Sequence, residues 1–337
     1  MKYYEIIRSP VRRLLSLLSL PFNDNLSKIS SKEKKILRLL SNKAKKIKSN
    51  TFNINIKDSH KIFSKKVLNL VINKDIRNFL RYQFIQKMFF IHNRLFIKKE
   101  LNILRQDSSN WKLWKKLLKE DKIGNPIRYF LYPKSSGNRI RQTFYLKQFV
   151  DFSRKDLKKY DLILEIGGGY GNMARLFSKI NKKAKFIILD TPEVNLLQYY
   201  YIKCNNLKVS FGYKQNSNIY LIDELDKIKR KLNVIKNKKN RLLIANWSLS
   251  ETPIKFRNEI KFIFKFFSDC LITFQDQFEN IDNLKYFNTL KNTLLNKYNY
   301  KSKIIKIDTM NKFDLTSNVN HYYLFSKANH DKKNTKS

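Results

Sequence analysis

Asp161-Leu162-Ile163-Leu164-Glu165-Ile166-Gly167-Gly168-Gly169-Tyr170-Gly171-Asn172 decides how the chain is read. A short apolar run breaks into a glycine-rich turn, and Met173, Leu176, Phe177 and Ile180 follow at helical spacing. This predicts strand, turn and helix in immediate succession. Glycine permits backbone angles and close approaches that a β-carbon forbids. Such a turn lets a ligand lie against bare main chain at a helix N-terminus. The chain has only seven glycines in 337 residues, and four of them fall within these five positions.

Downstream, short apolar runs alternate with helical patterns, which signals repeated βα units and a mainly parallel sheet. Leu162–Ile166, Phe186–Leu189, Leu242–Ala245 and Leu271–Phe274 are strand candidates. One more lies within 207–222, at Val209–Phe211 or Ile219–Ile222, and Ile304–Ile307 with Val319–Phe325 look like a closing pair. Ile260, Ile263, Phe264 and Phe267 repeat as the core face of a helix. Upstream, residues 60–120 read as helices. Phe84, Ile85, Met88, Phe89, His92 and Phe96 suggest one apolar face, on which His92 is a core residue, and Trp111 and Trp114 are again at helical spacing. Gly124-Asn125-Pro126 and the Pro133–Gly137 stretch punctuate the chain, and Arg139–Val150 leads helically into the first strand. The expected organisation is a helical, basic N-terminal region at 1–120, an α/β domain with its lead-in at 121–327, and a polar tail at 328–337.

The net charge is +43, and it is uneven: residues 1–150 carry 35 Lys/Arg against 9 Asp/Glu. Such a field favours polyanions or anionic membrane surfaces. Apolar residues make up 42% of the chain, with 25 Phe and 18 Tyr, enough for a sizeable core. Cys204 and Cys270 are the only cysteines, which fits a reducing, cytoplasmic compartment. No apolar run approaches the ~20 residues of a membrane span. Lys2, Arg8, Arg12 and Arg13 precede Leu14–Leu20, but the stretch is broken by Ser16 and Ser19 and lacks a small-x-small cleavage site. Val11, Leu14, Leu15 and Leu18 instead fit a helix face that packs on the protein or lies on a membrane.

Asp190 ends the second strand, nineteen residues after Gly171, where a carboxylate can accept both ribose hydroxyls of an adenosine. Thr191-Pro192-Glu193 then caps and opens a helix. Two adenosine cofactors fit such a turn. A dinucleotide wants G-x-G-x-x-G/A, whereas S-adenosylmethionine wants an acid, any residue, then G-x-G-x-G. Glu165-Ile166-Gly167-Gly168-Gly169-Tyr170-Gly171 matches the second without gaps. The acid decides between them: the ammonium of a methionine moiety favours a nearby carboxylate, and a pyrophosphate is repelled by one.

With these residues the chain resembles the class I methyltransferases. More narrowly it resembles the bacterial sugar O-methyltransferases of surface-polysaccharide loci, through Glu165–Asn172, Asp190–Val194 with Gln198–Tyr201, Asn246–Glu251 and Phe274–Asn283. The resemblance covers roughly residues 120–327. It implies a Rossmann-like seven-stranded sheet with the last strand antiparallel and S-adenosylmethionine held by Glu165, Gly167, Gly168, Gly169, Gly171, Asp190 and Asn246. It also implies an acceptor beside Trp247 and Gln275. The expected reaction is in-line methyl transfer to a sugar hydroxyl, free or nucleotide- or lipid-linked, with Glu251, Asp276 or His321 as general base. Asp276, Glu279 and Asp282 are oxygen ligands in one loop, which is not a specific metal motif, so no metal is assigned.

Two other functions use the same features. A nucleic-acid methyltransferase would exploit the charge, yet Asn246-Trp247-Ser248-Leu249 lacks the prolines of a base-methylase loop, so nucleic acid is disfavoured. A non-catalytic binding module would keep the fold, but the intact glycine turn and Asp190 argue for retained cofactor binding. The expected location is cytoplasmic, with peripheral contact at the inner membrane through the basic N-terminus.

Overall fold

The computed structural model describes residues 28–47, 58–89, 96–234, 240–311 and 319–329. Val11, Leu14, Leu15, Leu18 and His92 lie outside the described residues. Besides two short hairpins, eight strands follow in chain order, one more than the seven expected: β1 (Leu162–Ile166), β2 (Lys185–Leu189), β3 (Val209–Phe211), β4 (Ile219–Ile222), β5 (Arg241–Asn246), β6 (Asp269–Gln275), β7 (Tyr300–Lys306) and β8 (His321–Ala328). The longer helices are α1 (Ser31–Lys46), α2 (Asp58–Ile72), α3 (Phe96–Gln106), α4 (Trp111–Leu118), α5 (Gly137–Ser153), α6 (Asn172–Ile180), α7 (Pro192–Cys204), α8 (Leu225–Val234) and α9 (Asn283–Tyr298). The chain divides into two compact units, each discontinuous in sequence.

The first unit comprises Met1–Lys147, Gly169–Lys182 and Asp190–Leu221. Its α1 begins with a capping signal, Ser30 followed three residues on by Glu33, and Ser30 Oγ accepts from Glu33 N at 3.1 Å. Ile36, Leu37, Leu40 and Ala44 are its buried stripe, which packs against α2 and α7. The apolar positions 84–96 do not share one helix. A short helix ends at Met88 with Ile85 as its buried residue, and Phe96 opens α3. The stretch around Pro133 is not merely punctuation, because Tyr132–Ser136 pairs with Arg128–Tyr129 as a small hairpin. Between 207 and 222 both strand candidates form, and β3 and β4 pair in parallel.

The second unit comprises Gln148–Gly168, Lys183–Leu189 and Ile222–Ser337. Its sheet runs in the order β7-β8-β6-β5-β1-β2. The β1–β2, β1–β5 and β5–β6 pairs are parallel, and β8 is antiparallel to both β6 and β7. This is the mainly parallel α/β sheet that the sequence pattern implies, with the final strand reversed. β1 and β6 are buried along their whole length, as strands covered on both faces must be, and they are correspondingly rich in Leu, Ile and Phe. The Ile260 stripe is buried, but Ile260–Phe266 is a 3₁₀ segment that follows a short α-helix, Ile254–Glu259. The closing strand starts at His321 rather than Val319 and extends through Ala328, the first residue assigned to the tail.

Candidate active site

In the second unit, β1 carries Glu165 to its C-terminal end, where the residue is 1% exposed. Gly167 follows at φ +70°, and its N–H donates to Leu189 O at 2.8 Å. A β-carbon at Gly167 would fall 2.3 Å from Ser248 Cβ, so sterics and backbone angle both demand glycine. Ser248 Oγ also donates to Ile166 O. The turn after β5 is thereby fastened to the end of β1.

That turn is built under strain. Trp247 sits at φ +68°, ψ −33°, a conformation that costs a bulky L-residue on the order of 1–3 kcal/mol. Fixed partners hold it: Trp247 N donates to Thr273 O at 2.9 Å and lies 3.1 Å from Thr273 Oγ1. The indole meets His321 edge-on, with ring centroids 5.1 Å apart. The register explains the meeting, since His321 lies opposite Gln275 across β8 and β6, and Asn246 lies beside Thr273 across β5 and β6. Asn246 Nδ2 is buried with no hydrogen-bond partner among the described residues.

Glu251 closes the 3₁₀ turn Ser248–Glu251 and is not at a helix start. Ser250 Oγ lies 2.8 Å from Gln275 Oε1, which turns the Gln275 amide N–H₂ toward its hydrogen bond with Glu251. Burial pushes the Glu251 carboxyl up to about 7, and the Gln275 bond offsets only part of that rise. The carbonyls on both sides of Glu251 are gripped by one buried guanidinium. Arg257 donates to Ser250 O at 2.8 Å, to Thr252 O at 2.8 Å and to Asn283 Oδ1 at 2.7 Å. Asn283 Nδ2 donates in turn to Ser250 O at 3.2 Å. Desolvation lowers Arg257 to about 10, still far above neutrality, so the clamp stays charged.

The other two candidate bases are placed differently. The Asp276 carboxylate accepts from Asn320 N and Asn320 Nδ2, both at 3.0 Å, and so clasps the segment that enters β8. Asp282 caps α9 by accepting from Lys285 N, and Glu279 occupies the turn of a two-strand hairpin. The three acids of this loop are thus tied to separate local tasks. His321 stands beside Trp247 as part of a wall.

In the first unit, Gly171 takes φ +92° as the N-cap of α6, and Ile202 Cδ1 lies 3.0 Å from where its β-carbon would be. Tyr170 is buried, with its ring edge-on to Tyr201 at 4.9 Å and its hydroxyl accepting from Asn138 Nδ2 at 3.1 Å. Behind Tyr201 lies a buried ion network. Arg139 Nη2 donates to Glu120 (2.6 Å), Asp121 (2.9 Å) and the Tyr201 hydroxyl (2.7 Å), and Arg175 grips Asp121 with two bonds. These arginines hold the Asp121 carboxyl well below its usual range despite its burial. Asp190 accepts from Thr191 N at 2.8 Å and from Gln198 Nε2 at 2.8 Å, and Gln198 Nε2 also donates to Gly169 O at 3.0 Å. One buried amide thus ties the strand-end acid to the glycine turn. Asn172, wholly buried at the start of α6, has neither side-chain polar atom hydrogen-bonded to a described residue.

Sequence reasoning did not assign the supports of these residues, Ser248, Ser250, Arg257, Asn283 and Asn320, or the amide role of Gln198. Nothing in the sequence singles out Arg257, which is one of four cations (Lys255, Arg257, Lys261 and Lys265) in the stretch after Pro253.

No protein-family model matches the chain, and no curated protein matches it. Among solved structures, the chain is similar to precorrin-6y C5,15-methyltransferase from Geobacter metallireducens, at 9% identity and TM-score 0.36, over 55% of this chain and 89% of that one. It is similar to the methyltransferase domain of a bacterial Hen1, at 14% identity and TM-score 0.38, over 56% and 99%. It is also similar to Aeropyrum pernix fibrillarin, solved with natively bound S-adenosyl-L-methionine, at 13% identity and TM-score 0.35, over 51% and 68%.

Proposed function

We propose that this protein is an S-adenosylmethionine-dependent O-methyltransferase acting on a sugar hydroxyl, with Glu251 as the general base. The observation that carries the choice of base is the Glu251 carboxyl itself. It is braced on both flanks by Arg257, contacted by Gln275 and lifted by burial to about 7, where a base both accepts and releases protons at neutral pH.

The residues present fit the cofactor. Gly167 and Gly169 leave main chain partly exposed in the glycine turn, and Asn246 Nδ2 and both polar atoms of Asn172 are buried donors and acceptors awaiting partners. Glu165 would take the methionine ammonium and Asp190 the ribose hydroxyls. When bound, S-adenosylmethionine supplies a methyl group already activated by its sulfonium. The chain's own task is then to orient the acceptor, exclude water and take one proton. Glu251 would take that proton from the acceptor O–H, so that the hydroxyl oxygen is left free to accept the methyl group as the sulfonium S–C bond breaks. Being half-buried, it can pass it on to solvent. The Trp247 indole, with His321 beside it, offers an apolar wall, and the Gln275 amide offers a polar edge. An aromatic face next to an amide and a carboxylate is the pairing a pyranose ring needs, with its C–H face on one side and its hydroxyls on the other.

Calorimetry is the first test. S-adenosylmethionine and S-adenosylhomocysteine should bind in the micromolar range and NADH should not. Absence of both cofactor heats would overturn the reading. Labelled methyl transfer to nucleotide-sugars and lipid-linked glycans, with tRNA as the competing acceptor, tests the substrate class.

A further inference from the structure

The α1 helix displays its charge in an ordered way. Ile36, Leu37, Leu40, Ser41 and Ala44 face inward, while Lys34, Lys35, Arg38, Leu39, Asn42, Lys45 and Lys46 are exposed. At 100° per residue these seven positions fall within an arc of about 140°, centred opposite the buried stripe, and run along a helix about 24 Å long. Five of the seven are cations, and none of the five enters an ion pair with a described residue. The helix has a single acid, Glu33, and it is turned away from this face. Its carboxylate accepts from Arg77 Nε at 2.8 Å and from the Tyr200 hydroxyl at 2.8 Å. In the midst of the cations stands Leu39, 48% exposed.

We propose that this face of α1 is a docking surface for an anionic phospholipid bilayer. Charge alone would suit any polyanion. The large exposed apolar residues of the described first unit are Ile29, Leu39, Ile62 and Leu131. All are aliphatic, and α1 carries no aromatic residue, so among the described residues this face offers no ring on which unstacked bases could lie. An aliphatic side chain set among lysines and an arginine is the composition of an interfacial helix, whose cations meet headgroups while the apolar residue enters the acyl boundary. Each cation near such a surface strengthens binding about fivefold, and the effect is confined to roughly a Debye length. The attachment should therefore be reversible and salt-sensitive. The inference does not depend on the methyltransferase reading: membrane docking and cofactor binding can each fail alone.

The test is co-sedimentation of the full chain with extruded vesicles of phosphatidylcholine, with and without 30% phosphatidylglycerol. Binding should be seen only with phosphatidylglycerol at 0.15 M salt and should be lost at 0.5 M. The triple reversal K34E/K35E/R38E should weaken partitioning by about a hundredfold or more. The charge-preserving set K34R/K35R/R38K should retain it. Leu39→Ser should weaken binding a few-fold without changing its salt dependence. Net charge is controlled by reversing three exposed lysines of the second unit, K285E/K301E/K303E, which should change binding far less. Circular dichroism and thermal melting confirm that each variant is folded. Equal binding to neutral vesicles, equal loss from the two triple reversals, or no vesicle binding alongside RNA binding that K34E/K35E/R38E abolishes would each overturn the proposal.

Discussion

Asp190 and Glu251 both follow parallel strands, and the protein treats the two carboxylates in opposite ways. Asp190 accepts a backbone N–H and a buried amide, contacts that fix the direction of its carboxylate. Glu251 is set where burial outweighs its single amide bond, so its charge is disfavoured until about pH 7. Its position is secured mainly through the neighbouring carbonyls, with the Gln275 amide as the one bond to its own oxygens. The first arrangement aims an acceptor at hydroxyl donors. The second makes a group that changes protonation in the working range. A strand-end acid takes its chemical character from how many donors its fold points at it.

The largest effect expected from this contrast is on rate. Glu251→Gln should lower kcat about 10²- to 10⁴-fold, the usual worth of a positioned base, and leave S-adenosylmethionine affinity unchanged. In the parent, kcat/KM should rise with unit slope to about pH 7 and then level. A retained inflection in Glu251→Gln would move the role to Asp276 or His321. Asp190→Ala should do the reverse, weakening S-adenosylmethionine binding about 10- to 100-fold with little change in kcat at saturation. If the two variants failed in the same way, the division of labour between the acids would be gone.

Arg257→Lys sharpens the Glu251 half. A lysine cannot reach Ser250 O, Thr252 O and Asn283 Oδ1 together, since the planar fork is what serves three acceptors. An approximately tenfold loss in kcat is expected, with cofactor affinity intact and the pH inflection displaced. A purely structural arginine would lower stability without displacing that inflection.

What could be read in advance follows the same contrast. The glycine turn was legible because its demands are local. Gly167 at φ +70° and Gly171 at φ +92° are positions where the backbone itself selects the residue, and the flanking strand and helix periods are written in the adjacent residues. Glu251, Asp276 and His321 could not be ranked from sequence, because their protonation and orientation depend on partners brought from elsewhere. Asn320 reaches Asp276 across 44 positions, and Asn283 reaches Ser250 across 33. Burial of the Ile260 stripe was legible, but its 3₁₀ winding was not, since the same apolar spacing serves either helix over two turns.

The Glu251 carboxyl also leaves a mark on stability. Its folded pKa is raised from 4.5 to about 7, so between those values the folded protein binds more protons than the unfolded chain. Stability therefore falls as pH rises through this window. Glutamine resembles the protonated acid and lacks this penalty. Glu251→Gln should match the parent at pH 4 and exceed it at pH 8 by about 2 kcal/mol, a figure reduced for the residual solvent access of the side chain. Denaturant titrations at the two pH values read the difference, and equal stability at pH 8 would mean that the carboxyl is better solvated than its surroundings imply.

The smallest effect separates holding from binding. Gln198 Nε2 donates to both Asp190 Oδ2 and Gly169 O, so Gln198→Met removes no group that need touch a ligand. It only releases one. Asp190 would retain Thr191 N but gain freedom to rotate, and about 1 kcal/mol, or three- to tenfold in S-adenosylmethionine affinity, should be lost. The informative measurement is the double-mutant cycle with Asp190→Ala. If Gln198 acts by aiming Asp190, its effect should vanish once the carboxylate is gone. If the full loss persists, the amide serves the Gly169 carbonyl or the packing of α7, and the aim of Asp190 is set by its other contacts, Thr191 N among them.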